Sequence, residues 1–179
     1  MRQLSVFTSI ICISSALLFS GCIKYSLSGA ATTAKSIQVD AFYNNTELSA
    51  ANLGQTFTNR VKDYYQQNSS LRVVPNNGEL QIEGTIVNYA TSPVAPQASQ
   101  GTGINATANF GKLTRLTIAV KVSYVDNIEP KNSFKDRTFS FYADFDNDQA
   151  DFFSQQETLE KKIFDQILID IFNATIANW

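Results

Sequence analysis

The sequence predicts an α+β domain in which two helices pack on one face of a four- to five-stranded, mostly antiparallel sheet. Three observations lead there. Leu116, Ile118, Val120, Val122 and Tyr124 alternate without a break against Arg115, Thr117, Ala119, Lys121 and Ser123, which gives a strand with one buried and one wet face. Phe139, Phe141, Ala143 and Phe145 repeat that pattern against Thr138, Ser140 and Tyr142. Two other stretches, near 53–65 and 159–176, carry their apolar residues at helical spacing.

Taken in order, Ile37, Val39 and Ala41 alternate as a first strand over 37–42. Asn52, followed by Gln55 three residues on, has the pattern of a helix start. Leu53, Phe57, Val61, Tyr64 and Tyr65 then share a face, and the helix is expected to run to about Gln67, where Asn68-Ser69-Ser70 ends it. Leu71 to Val74 is a short strand stopped by Pro75-Asn76-Asn77-Gly78, a turn cluster. Leu80 to Tyr89 is the next strand. A long, almost uncharged loop over 91–109 follows, with Pro93, Pro96, Gly101 and Gly103; its length points to a functional or mobile segment, with a plain hairpin tip as the alternative. After the two alternating strands, Ser154-Gln155-Gln156-Glu157 forms a capping box, and a helix runs from it toward Trp179. Leu159, Ile163, Phe164, Ile167, Leu168, Ile169, Ile171, Phe172 and Ile176 cover more of its circumference than one stripe needs.

The first residues set the organisation. Arg2 precedes an uncharged apolar run from about Leu4 to Phe19, and Leu18-Phe19-Ser20-Gly21-Cys22 closes it. A charged start, a short apolar core and small residues before a break describe a secretory signal peptide. A cysteine directly after Ser20-Gly21 resembles the bacterial lipobox, with Phe19 where Leu is usual. The expected division is therefore a removed signal peptide over 1–21, a lipidated N-terminus and tether over 22–35, and one α+β domain over 36–179. Cys22 would carry the acyl chains, palmitate among them, that anchor the protein to a membrane. The other cysteine, Cys12, falls in the removed segment, so no disulfide is expected within the mature chain.

Composition narrows the chemistry. Lys and Arg number 14, Asp and Glu 16, and there is no histidine. A slightly acidic chain lacks the electrostatic footprint of a nucleic-acid binder. Without histidine, and with its remaining thiol acylated, the protein lacks the commonest general base and metal ligand as well as any cysteine nucleophile. We expect no catalytic residues, no cofactor and no metal. The run Asp144, Asp146, Asp148, Asp151 has alternating carboxylates like a calcium loop, but Gln149 stands where glycine belongs and Gln155 where the closing Glu belongs. A solvated turn ahead of a helix N-terminus explains it as well. Gly101-Thr102-Gly103 lacks the strand-then-helix context of a nucleotide fingerprint. Arg115 and Lys121, with Lys112 near the strand start, project from the open sheet face, where cations can receive phosphates or remain ordinary solvated charge.

The ordered set of segments Tyr25-Ser26-Leu27-Ser28-Gly29, Leu53-Gly54-Gln55-Thr56-Phe57-Thr58, Leu80-Gln81-Ile82-Glu83-Gly84, Pro93-Val94-Ala95, Leu116 to Val122, Phe141 to Phe145, Asp170-Ile171-Phe172-Asn173 and Ala177-Asn178-Trp179 resembles the lipopolysaccharide-assembly lipoprotein family LptE, in its Bacteroidetes form. The resemblance implies two helices on a four-stranded sheet, no cofactor, and a place at the inner leaflet of the outer membrane, facing the periplasm. It also implies that the protein plugs and helps assemble an LptD-type β-barrel and binds lipopolysaccharide. On that basis Lys112, Arg115 and Lys121 become candidate lipopolysaccharide-binding residues, and Leu168, Ile169 and Phe172 candidate contacts to the barrel. Two other classes stay open at this point: a carbohydrate-binding or nutrient-uptake accessory lipoprotein, and a generic envelope scaffold lipoprotein. Ile23-Lys24-Tyr25 lacks the acidic export tag expected of surface uptake proteins.

Overall fold

The computed structural model describes residues 32–94, 113–146, 148 and 151–176. Its elements are β1 (Ser36–Val39), β2 (Tyr43–Asn44), α1 (Leu53–Asn68), β3 (Arg72–Val74), β4 (Leu80–Pro93), β5 (Leu113–Asp126), β6 (Phe134–Asp146) and α2 (Phe152–Thr175), with a 3-10 turn at Pro130–Asn132. The α+β class holds, but the sheet is mixed and, among the described residues, has six strands, in the order β3-β1-β4-β5-β6 with β2 also beside β4. β4, β5 and β6 form the antiparallel meander that the alternation predicted. β1 instead pairs parallel with both β3 and β4, and β2 parallel with β4. This departs from the mostly antiparallel expectation because α1 carries the chain back to the end where β1 began, so β3 restarts in the same direction.

β1 and β2 together act as one interrupted strand along β4. Ile37 to Val39 lie opposite Leu80 to Ile82, and Tyr43-Asn44 opposite Thr85-Ile86. Between them the chain leaves the ladder and drives Phe42 inward, where its ring meets Phe57 edge-on at 5.0 Å. Thr58 Oγ1 accepts the Phe42 amide at 2.9 Å and donates to the Gly54 carbonyl at 2.7 Å, so the break is satisfied internally. Two glycines admit Phe42. A Cβ on Gly84 would stand 2.6 Å from the Phe42 ring, and one on Gly54 would stand 2.4 Å from the Phe42 carbonyl oxygen.

Both helices lie on the face that carries Leu116, Ile118, Val120, Val122 and Tyr124, all fully buried. A bulge between Ile86 and Asn88 shifts the β4 alternation, so Ile82 and Ile86 point inward and then Tyr89 does. A second bulge lies on β6, where Lys135 and Asp136 stand against Ser123 of β5, and the φ of Asp136, 54°, is left-handed. The expected caps move. Asn52 makes no side-chain cap bond to α1, and Gln55 bonds Asn59 instead. α2 starts three residues before the expected box: Asp151 accepts the Ser154 amide at 3.0 Å, and Phe152 packs on Phe145 at 5.4 Å between ring centres. β4 also runs on to Pro93, past its expected end at Tyr89, so the first residues of the 91–109 stretch are strand; 95–112 lie outside the described residues.

The broad apolar surface of α2 has two neighbours. Leu159, Ile163, Ile167 and Ile171 belong to the buried cluster over the sheet, while Phe164 meets Phe57 of α1 at 4.8 Å and Phe172 meets Tyr64 and Tyr65 at 5.3 and 5.4 Å. Arg60 closes the solvent side of this seam with an ion pair to Asp165 at 3.2 Å. Polar bonds pin both ends of α2. Tyr65 and Thr175 share a 2.6 Å hydroxyl bond, and Tyr89 donates to Glu160 at 2.8 Å while accepting from Gln156 at 3.0 Å. Burial pushes both tyrosine hydroxyls well above their ordinary range, so they stay protonated partners.

Candidate functional site

Among the described residues, no helix lies on the second face of the sheet. Its residues are set by register rather than by packing. Arg115 of β5 stands directly opposite Asp144 of β6, Thr117 opposite Tyr142, Ala119 opposite Ser140, and Lys121 opposite Thr138. On the other side, Ser92, Ala90, Asn88 and Thr85 of β4 face the same four β5 residues. The result is a lane of small and hydroxyl side chains with a cation near each end.

The two cations differ. Arg115 Nε and Nη2 donate to the two carboxylate oxygens of Asp144 at 2.7 and 2.9 Å, a bidentate fork. Its guanidinium also lies over the Tyr142 ring, 3.7 Å from the centroid. The hydrogen bond from Arg115 holds the Asp144 carboxyl below the usual carboxylate range, and Asp144 in turn raises the guanidinium. Both side chains keep about a third of their surface in solvent. Lys121 is exposed and borders a shallow depression of about 180 Å³ together with Tyr43, Glu83 and Asp136. Six strand residues separate Arg115 from Lys121, roughly 20 Å. One anionic group cannot bridge them; a ligand touching both must be extended.

Of the sequence-based candidates, Arg115 and Lys121 therefore share a face but do not converge. Lys112 and Cys22 lie outside the described residues. The three candidate contacts on α2 separate. Leu168 and Phe172 are buried at 3% and 8% exposure, Phe172 against the α1 tyrosines, and Ile169 alone stands out at 39%. Of the extra apolar width of α2, Phe172 faces α1 and Leu168 joins the buried core.

The acidic run also resolves into separate tasks. Asp144 receives Arg115, Asp146 accepts the Asp148 amide at 2.9 Å, and Asp151 caps α2. Among the described residues, no group of three or more potential metal-binding side chains comes together. Sequence reasoning missed the Arg115–Asp144 fork because it placed Asp144 in a turn. The signal was present as opposite charges on consecutive hairpin strands, but it needs the register to be read. It also missed the exposed aromatic residues Tyr43 and Phe153, at 71% and 82% exposure. No helix among the described residues is long and apolar enough to cross a membrane.

Comparison with known proteins adds the following. The LptE family model, described as lipopolysaccharide-assembly, matches residues 34–175. A hypothetical protein from Chlamydia trachomatis superposes with a TM-score of 0.50 at 15% identity, covering 81% of this chain and 100% of that one. A minor lipoprotein from Acinetobacter baumannii gives a TM-score of 0.44 at 14% identity over 79% of this chain and 92% of its own. An uncharacterized lipoprotein B from Nitrosomonas europaea gives 0.45 at 12% identity over 78% and 80%. At such identities the likeness concerns the fold alone. No curated protein matches the sequence.

Proposed function

Because this chain belongs to the LptE lipopolysaccharide-assembly family, we propose that it is an outer-membrane lipoprotein that plugs and helps assemble an LptD-type β-barrel and binds lipopolysaccharide on its way to the cell surface. Residues 1–21 are the signal peptide, Cys22 takes the lipid, and 22–35 tether the domain to the periplasmic side of the membrane. The observation that carries this reading is the family match across the whole helix-on-sheet domain. The open face supports the lipid-binding half of it. Arg115 and Lys121 lie on the only sheet face that both described helices leave uncovered, and Lys112 precedes the same strand. The chemistry proposed is binding and release, with no bond made or broken by the chain.

On α2 the proposed barrel contact narrows to Ile169, since Leu168 and Phe172 are buried. The test is affinity purification of the tagged native protein from its own envelope, wild type beside Ile169→Asp. A co-purifying barrel of LptD size is expected with wild type and less of it with Ile169→Asp, while the melting curve of the purified variant stays where wild type melts. Purification without any such barrel would overturn the assembly reading. Equal recovery with both proteins would remove Ile169 from the contact and leave the rest standing.

A further inference from the structure

The open face carries one built arrangement that the assembly reading does not use. The Arg115 fork already holds a planar pair of oxygens, both from Asp144, at 2.7 and 2.9 Å. A guanidinium receives a phosphate or a ligand carboxylate through the same two parallel donors. Its charge cannot be titrated away in a protein, so only the occupant of the fork changes. Tyr142, whose ring centroid lies 3.7 Å from the guanidinium, holds the plane of the fork.

We propose that Asp144 is a built-in competitor for the anionic headgroup at Arg115: its carboxylate holds the fork until a phosphate or sugar-acid oxygen pair of lipopolysaccharide displaces it, and Tyr142 keeps the guanidinium in place during the exchange. The inference rests on the lipopolysaccharide-binding reading above. Three features support it. The exchange replaces two charge-assisted hydrogen bonds with two, so neither state is trapped, which suits a protein that must release its ligand. About a third of each side chain is in solvent, so an incoming headgroup can reach the fork and the displaced carboxylate can be hydrated. Lys121, roughly 20 Å along the strand, is a hydrated point charge that attracts anions without selecting a planar pair of oxygens. The fork, with Asp144 across it, is thus the discriminating end of the lane.

The experiment measures binding of purified lipopolysaccharide to the full chain in detergent, for wild type, Asp144→Asn, Arg115→Gln and the double variant, with a melting curve for each. Asp144→Asn should bind about two- to five-fold tighter, the range set by the strength of a partly exposed ion pair, and the gain should shrink as salt rises. Arg115→Gln should bind more weakly, and adding Asp144→Asn to it should change nothing further. An equal gain from Asp144→Asn in both backgrounds would mean a general charge effect and would overturn the competitor role. So would unchanged or weaker binding by Asp144→Asn when its melting curve still shows a folded domain. Free inorganic phosphate at millimolar concentration should leave bound lipopolysaccharide in place; if it competes as well as lipopolysaccharide itself, the fork serves small anions and the headgroup assignment falls. If no variant, nor wild type, binds lipopolysaccharide above phosphatidylcholine vesicles, the lipopolysaccharide-binding reading itself fails.

Discussion

β5 has two faces with different rules. On the helix side, Leu116, Ile118, Val120, Val122 and Tyr124 are each fully buried, and their neighbours are decided by volume. On the other side, Arg115, Thr117, Ala119, Lys121 and Ser123 meet partners decided by register, one cross-strand residue at a time. A volume rule leaves a periodic trace along a single segment. A register rule leaves its trace only when two strands are aligned. The first face is therefore where the stability of this protein resides, and the second is where its chemistry can vary without unfolding it.

This contrast sets the order of expected effects. The largest should come from the core under the helices. Phe164→Ala removes a ring that packs on Phe57 and lies under Arg60, and it should cost about 3–5 kcal/mol in denaturant unfolding. A loss under 1 kcal/mol would show that the two helices are held by something other than this seam. Next, Gly84→Ala forces a methyl against the Phe42 ring and the Lys121 carbonyl, at 2.6 and 2.5 Å before relaxation. It should destabilise by about 1–3 kcal/mol. Pairing it with Phe42→Leu should recover part of that loss, which ties the cost to the inward ring rather than to the strand.

The smallest stability effect belongs to the open face and depends on pH. The folded Asp144 carboxyl is held below its ordinary value by Arg115. Its contribution is therefore present above the unfolded carboxylate pKa, near 3.9, and is lost as pH falls through the lower folded value. Asp144→Asn should melt slightly below wild type at neutral pH, and the two curves should converge as pH falls below the carboxylate range. A difference that grows on acidification would place the fork's role elsewhere.

What was legible in the sequence follows the same division. β5 and β6 were readable residue by residue, because their alternation is long enough to show a period of two. β1, β2 and β3 are two to four residues long, too short to carry a direction, so their parallel pairing could only come from the return path of α1. The width of the apolar surface on α2 was visible, but its cause was not. Phe172 serves a neighbouring helix and Leu168 the core, and nothing along the segment distinguishes an internal partner from an external one. The cap of α2 was placed at Ser154 instead of Asp151 because both residues have cap chemistry; packing of Phe152 on Phe145 selects the earlier start. On the open face both cations were found, but not that one of them already has a carboxylate partner.

The position of β1 has a mechanical meaning. It is the first of the described elements, and it lies between β3 and β4 with parallel partners on both sides. A force applied ahead of Ser36 acts along the strand axis. Slanted bonds on two flanks share that load at once and must slide together, instead of opening singly from one end. Phe42, lodged beyond β1 between Gly54 and Gly84, obstructs the same sliding motion. A domain tugged by its leading segment is thus gripped in its stiffest direction.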